Sequence, residues 1–184
     1  MVGHEYLGSE EPSPGHWRHF LRRKNTETAA EMATDMSQAR SYTWRLRARS
    51  TGMREATLYA RNFSWQLGQP ASFEEKDAHP SAIEAALGAL AADVLNGFAS
   101  ICAQKDCPLD ELEVNTKATL HDVMAHLGLS TGDPSMASVD LTLFVTAAAP
   151  GATIRAIWEE AKRRSPLYNT FKKALALDSR LVLM

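Results

Sequence analysis

The chain has 184 residues, of which 45% are hydrophobic and 23% are charged, as in ordinary globular proteins. At this length we expect a single domain with a sizeable core. A formal net charge of −2 argues against nucleic acid or an anionic membrane as the main partner. The N-terminus has no basic region followed by an apolar one, and no apolar run reaches the roughly 18–20 residues of a transmembrane helix. We therefore expect a cytoplasmic protein.

The first residues have little capacity to form a core. Residues 1–24 are polar, contain Pro12 and Pro14, and end in the basic run "RHFLRRK". They predict an N-terminal arm that is poorly structured or docks elsewhere, followed by one domain over residues 25–184. Within that domain, Thr26 is a suitable N-cap for a short helix that ends near Arg40.

A pattern of period two follows. In "SYTWRLRARS" the apolar and arginine residues alternate, which predicts a strand with one wet face. "REATLYARN" and "FSWQLG" predict two more strands. Arginines on one face of a strand most often face solvent. The alternative is that they bind an anionic ligand or a partner subunit.

The stretch "SAIEAALGALAADVLNGFASICAQ" predicts a long helix over residues 81–104 that opens at Pro80 or Ser81 and is buried on most sides. Its one acidic residue in the apolar centre is Asp93. Burying a carboxylate in a core costs several kcal/mol, on the order of the penalties known for buried charge. We therefore expect Asp93 to face a pocket or a polar group.

The remaining elements alternate irregularly. "LDELEVNTKATLHD" predicts a strand, residues 123–135 a loop, and "MASVDLTLFVTAAA" another strand. A helix follows Pro150, a shorter one begins at Pro166, and "LDSRLVLM" predicts a final strand. Strand runs separated by helices without a regular βαβ rhythm indicate an α+β fold.

Several of these segments together resemble the OsmC/Ohr superfamily. They are "P-x-x-x-E-x-x-L-G-A-L-A-A" opening the long helix, "CPLDELEV" leading into a strand, and "AKRRSPLYNTFKKAL" before the last strand. The resemblance spans about residues 41–184. It implies an OsmC-like α+β fold, with antiparallel strands around a long buried central helix, in an intertwined homodimer whose two long helices pack at its centre.

The resemblance also implies a chemistry, which this chain does not match. Active relatives are thiol peroxidases of organic hydroperoxides: a cysteine on the central helix attacks the peroxide, and a second one before the short helix resolves it as a disulfide. Aligning "LGALAAD" with the central-helix motif puts Asp93 at the first position, and a register anchored on Pro80 puts Ala91 there. Ser165, before Pro166, stands at the second. Neither a carboxyl group nor a hydroxyl follows the oxidation steps of a thiol.

Three functional hypotheses follow. The leading one is a non-peroxidase relative that binds a small apolar ligand or a partner in an inter-subunit pocket. A role in stress response is implied by the family resemblance alone. The second is a hydrolase in which Asp93 acts as general base for Ser165, although Ser165 before Pro166 is also a good helix N-cap. The third is a thiol peroxidase that uses Cys102 and Cys107.

The cysteines and histidines offer little support for redox chemistry or for a metal site. Cys102 and Cys107 are five positions apart at the helix end, about 140° apart on a helix, so a disulfide requires that the end unwind. The pairs His16/His19 and His121/His126 have no accompanying cysteine or acid cluster in sequence, so we expect no metal and no cofactor.

Overall fold

A computed structural model describes residues 42–50, 55–69 and 77–184 of the chain. The predicted arm over residues 1–24 and the helix predicted to begin at Thr26 lie outside the described residues and stay predictions. The chain divides into two units between Arg45 and Leu46, and every element below belongs to the second unit.

The first sheet has three antiparallel strands in the order β1-β2-β3. They are β1 (Arg47–Ser50), β2 (Ala56–Ala60) and β3 (Phe63–Leu67). The second and third strands are as predicted, whereas the strand predicted over residues 41–50 forms only over its last four residues, and residues 42–46 are not part of it. The register aligns Ala48, Leu58 and Trp65 across the sheet, so that one face is apolar. This face stays open in the single chain, since Trp65 is 41% exposed and Phe63 is 54% exposed.

Helix α1 (Ala82–Gln104) begins with a capping box. The backbone N–H of Glu84 donates to Ser81 Oγ, and the N–H of Ser81 donates to the Glu84 carboxylate at 2.7 Å. The second hydrogen bond lowers the pKa of Glu84. The sequence prediction of both the helix and its start is therefore confirmed.

Only one side of α1 is buried in the chain. The fully buried residues recur three or four positions apart and form one stripe: Leu90, Val94, Phe98, Ile101 and Cys102. This stripe packs against strand β4 (Glu111–Leu120) and against the two C-terminal helices defined below. The expectation that α1 is buried on most sides was wrong for the single chain, in which 28% of its most apolar 18-residue window is buried.

By length and composition alone, α1 is apolar enough to cross a membrane. The sequence prediction that no stretch reaches this limit therefore needs correction. The core helix of a soluble protein passes the same test, and α1 makes protein contacts along its buried stripe.

The second sheet has the order β4-β5-β6, where β5 is Met136–Thr146 and β6 is Ala176–Leu183. β4 and β5 are antiparallel, whereas β5 and β6 are parallel, so the strands are not all antiparallel as expected. The predicted loop between β4 and β5 contains a short helix, α2 (Val123–His126), capped by Asp122. A crossover of two helices is what allows β6 to run parallel to β5.

Those two helices are α3 (Gly151–Arg164) and α4 (Pro166–Ala174). The core lies between one face of β5, which contributes Val139, Leu141, Leu143 and Val145, and the buried sides of α1 and α3. The fold is a mixed α+β arrangement with α1 at its centre. It brings the middle of α1 against the start of α4.

Candidate functional site

The structure brings Asp93 and Ser165 into direct contact, although 72 positions separate them in the chain. Ser165 lies at the junction of α3 and α4 and is 3% exposed. Asp93 is half-buried on α1 and faces that junction. The Ser165 hydroxyl donates a hydrogen bond to Asp93 Oδ2 with an O–O distance of 2.5 Å.

Two backbone amides complete the cluster. The N–H of Leu167 donates to the same Asp93 oxygen at 3.1 Å, and the N–H of Tyr168 donates to Ser165 Oγ at 3.0 Å. Both amides belong to the first turn of α4, where helical N–H groups lack a partner within the helix. Asp93 and Ser165 therefore act together as the cap of α4.

The local sequence explains this arrangement. Ser165 is the N-cap and Pro166 the first helical residue, whose missing N–H needs no acceptor. The next two donors belong to Leu167 and Tyr168, and each has one of the two side-chain acceptors. An acidic group beside a helix N-terminus also interacts favourably with the helix dipole. This accounts for an acidic residue in the apolar centre of α1.

The cluster lacks what nucleophilic catalysis by Ser165 requires. Its hydroxyl is buried, donates to Asp93 and accepts from Tyr168, so an attacking oxygen would have to give up bonds that hold α4. A seryl nucleophile also needs an oxyanion site beside it. No described histidine is among the hydrogen-bond partners of Asp93 and Ser165. His79 lies before the start of α1, roughly four helical turns from Asp93 in sequence.

One neighbouring contact could not be anticipated from the sequence. The Tyr168 hydroxyl and Ser179 Oγ are 2.9 Å apart, which links α4 to β6. Tyr168 is 6% exposed and stands on the same helical turn that Asp93 caps. No spacing rule relates Tyr168 to Ser179, because the turn between α4 and β6 alone decides which side chains meet.

The two cysteines also lie together, at the C-terminal end of α1. Both are reduced and buried, and the N–H of Cys107 donates to the Cys102 carbonyl at 2.9 Å. Burial raises the pKa of the Cys102 thiol to about 12, with a further contribution from the adjacent Cys107. A thiol with this pKa carries very little thiolate at neutral pH.

The other candidate residues that the structure describes do not form a metal site or line a pocket with Asp93 and Ser165. Within residues 42–50, 55–69 and 77–184, no group of three or more His, Cys, Asp or Glu side chains is placed to hold a metal ion. His16 and His19 lie outside the described residues. A shallow cavity of about 240 Å³ lies on the second sheet, and its lining includes Lys117, Asp140, Asp178 and Arg180 but neither Asp93 nor Ser165.

Comparison with known families gives one assignment. The family of OsmC-like proteins matches residues 74–180, which is more than half of the chain and includes both α1 and the start of β6. The chain belongs to the OsmC-like protein family. A search of curated proteins gave no match.

Solved structures agree with the OsmC-like fold. An OsmC-like protein from Mycoplasma pneumoniae aligns with a TM-score of 0.66 and 16% identity over 78% of this chain and 99% of that one. An organic hydroperoxide resistance protein OsmC from Legionella pneumophila gives 0.56 and 12%, over 78% and 99%. OhrB of Bacillus subtilis, also an organic hydroperoxide resistance protein, gives 0.53 and 14%, over 78% and 98%. At these identities the likeness shows the fold alone.

The capping role of Asp93 in this OsmC-like protein predicts energetic coupling with Ser165. Asp93→Ala leaves the Ser165 hydroxyl and the Leu167 N–H without an acceptor, which should lower the free energy of unfolding by about 2–4 kcal/mol. Ser165→Ala should cost about 1–2 kcal/mol as a lost N-cap. Chemical denaturation of both single variants and the double variant at one protein concentration should give a coupling energy of at least about 1 kcal/mol.

Thr170→Ala is the matched control for this cycle. Thr170 is exposed on the same helix, and its hydroxyl donates to the Pro166 carbonyl rather than to Asp93. Its effect should add to that of Asp93→Ala within about 0.5 kcal/mol. If the effect of Ser165→Ala also simply added to that of Asp93→Ala, as the effect of Thr170→Ala should, the capping role would be contradicted.

Proposed function

We propose that this OsmC-like protein lacks thiol peroxidase chemistry at the family site and acts instead as a cytoplasmic homodimer that binds a small apolar molecule between its subunits. The observation that carries the proposal is the hydrogen bond from Ser165 to Asp93. In relatives that reduce hydroperoxides, the two sulfurs must meet to form a disulfide. In this chain a carboxyl group and a hydroxyl meet between α1 and α4.

The contact also favours one of the two registers that the sequence left open. Asp93 reaches the residue before Pro166, which is where the resemblance places the resolving cysteine. Ala91 lies two positions earlier on α1 and is turned by about 200° from Asp93 on the helix. It cannot face α4 at the same time as Asp93, so we infer that Asp93 occupies the reactive position.

The other two hypotheses receive less support. For a hydrolase, Ser165 would have to leave its hydrogen bonds to Asp93 and Tyr168. For a relocated peroxidase, both thiols are buried, and the raised pKa of Cys102 leaves almost none of that residue as thiolate at neutral pH. A redox-inert cap fits the observed contacts without further rearrangement.

The homodimer is supported by apolar surface that the single chain leaves open. On α1, the exposed side consists mostly of small residues, among them Gly88, Ala89 and Ala92. Nothing lies within 4 Å of the position where a Cβ on Gly88 would be. The apolar face of the first sheet, with Phe63 and Trp65, is open as well. Exposed apolar patches of this kind mark interaction surfaces.

We infer that a second copy covers these surfaces, as the resemblance implies. Small residues on α1 let two helices approach closely, and a ligand of low polarity would fit where the two apolar surfaces leave space between them. The relatives whose names refer to organic hydroperoxides suggest molecules of that size and polarity. Cumyl alcohol, the stable alcohol counterpart of cumene hydroperoxide, is therefore a suitable probe.

The first experiment restores the two sulfurs. In a Cys102→Ala, Cys107→Ala background, Asp93→Cys with Ser165→Cys should form a disulfide on mild oxidation, because the two side chains meet directly between α1 and α4. Intact-mass and peptide analysis under non-reducing conditions measures the bond. The bond should be absent when Cys is placed at positions 93 and 170 instead, because Thr170 is exposed and bonds to Pro166.

Failure of the 93/165 disulfide to form would contradict the assignment. If the 93/165 pair remains reduced while the folded protein is intact by circular dichroism, then Asp93 and Ser165 do not occupy the two sulfur positions. The assignment of Asp93 and Ser165 to the two sulfur positions would then have to be abandoned. A bond in both pairs would mean that α4 moves too freely for the contact to be informative.

The second experiment tests the dimer through the exposed side of α1. Ala92→Arg places a long charged side chain on that side and should convert a dimer to a monomer in sedimentation measurements. Ala156→Arg on α3 is the matched control, since Ala156 is also exposed and helical. It should leave the dimer intact. A wild-type protein that sediments as a monomer would contradict the proposed assembly.

The same two variants test the ligand. Cumyl alcohol should raise the melting temperature of the wild type and of Ala156→Arg in a concentration-dependent way, because a ligand that binds only the folded state stabilises it. It should not stabilise Ala92→Arg, whose inter-subunit pocket would be lost. Equal stabilisation of all three proteins would place the binding site within one subunit.

A further inference from the structure

The C-terminal end of α1 folds back on itself and brings Cys107 over Cys102. The helix ends at Gln104, and Asp106 adopts a left-handed conformation with φ of 50°. The 2.9 Å hydrogen bond from the Cys107 N–H to the Cys102 carbonyl is the bond that defines a Schellman motif. This turn removes the separation of about 140° that a continuous helix would impose on the two residues.

The two thiols form an isolated pair. Both side chains belong to the same buried core cluster, and the chain contains no other cysteine. Cys102 is 1% exposed and Cys107 is 7% exposed. Any disulfide within one chain must therefore join these two residues.

We propose that Cys102 and Cys107 are a redox-active dithiol that closes to a disulfide by exchange with a small-molecule disulfide. The inference is independent of the proposed ligand-binding function, because it concerns the end of α1 rather than the contact of Asp93 with Ser165. A disulfide needs a sulfur–sulfur distance of about 2.05 Å, and the side chains at these two positions of a Schellman motif frequently lie against each other. The bond would tie the last turn of α1 to the segment that leads into β4.

The reaction takes place in two exchanges. Cys107 loses its proton, and its thiolate attacks one sulfur of the external disulfide R–S–S–R, forming a mixed disulfide and releasing one RS⁻. Cys102 then loses its proton and attacks the Cys107 sulfur, forming the internal bond and releasing the second RS⁻. The two RS⁻ take up the two protons, so two protein thiols are oxidised as R–S–S–R is reduced to two RSH.

The order of attack follows from exposure. Cys107 follows the helix end, between Asp106 and Pro108, which are both exposed, whereas Cys102 is enclosed in the buried stripe of α1. Burial also raises the pKa of Cys102 to about 12. Closure by Cys102 should therefore be slow at neutral pH. Its rate should rise by nearly tenfold for each pH unit between pH 7 and 9, as the thiolate fraction rises.

The sequence supplies a direct readout of the bond. Lys105 lies between the two cysteines, and the nearest flanking lysines are Lys76 and Lys117. Trypsin therefore places Cys102 and Cys107 on separate peptides, 77–105 and 106–117. After the full-length protein is incubated with oxidised glutathione and its free thiols are blocked, these peptides should be joined in a non-reducing digest and separate on reduction.

Two variants define the order of the steps. Cys102→Ala should stop at the mixed disulfide and accumulate one glutathionyl group on Cys107. Cys107→Ala should react at least tenfold more slowly than Cys102→Ala, because only the enclosed thiol remains. Circular dichroism of both variants checks that they are folded, and non-reducing gels separate an internal bond from one between two chains.

Two results would overturn the proposal. One is a folded wild-type protein whose peptides 77–105 and 106–117 are never joined, even after prolonged incubation at pH 9. The other is joining that occurs only between chains. Either result would leave the cysteines as packing residues and would not affect the test of the Asp93 and Ser165 positions, which uses a background without them.

Discussion

The hydrogen bond between Asp93 and Ser165 is the contact on which the arrangement of the helices depends. It joins the middle of α1 to the start of α4 across 72 positions of the chain. The same two side chains accept hydrogen bonds from the N–H groups of Leu167 and Tyr168. They therefore fix where α4 begins and how it approaches α1. Tyr168 then reaches Ser179, which links α4 to β6, the strand that pairs with β5.

The same contact is a permanent polar connection between two helices. A carboxyl group and a hydroxyl provide a polar link between α1 and α4 that needs no oxidant. Partly buried polar groups of this kind are stabilising only when each has a partner, and here both side chains do. The chain therefore joins α1 to α4 through hydrogen bonds that need no change of oxidation state.

Much of this fold was accessible from the sequence, and the exceptions have physical reasons. Period-two alternation predicted β1 to β3, and the Ser165–Pro166 pair predicted the start of α4. The parallel pairing of β6 with β5 could not be predicted, because it depends on how two helices cross over the sheet. The hydrogen bond between Cys107 and Cys102 could not be predicted either. It requires a left-handed conformation at Asp106, which asparagine and glycine adopt more readily. The open side of α1 was missed because the burial of an apolar helix can depend on a second chain.

Consumption of cumene hydroperoxide by the purified wild-type protein, with dithiothreitol as the reductant, tests the central claim most directly. At neutral pH we expect no steady consumption above that of dithiothreitol alone, since neither Asp93 nor Ser165 can be oxidised by a peroxide and reduced again. Cys102 and Cys107 should not sustain turnover either, because both thiols are buried and the pKa of Cys102 is raised to about 12. Steady turnover that rises in proportion to the concentration of the protein, and that is lost when the protein is unfolded, would contradict it.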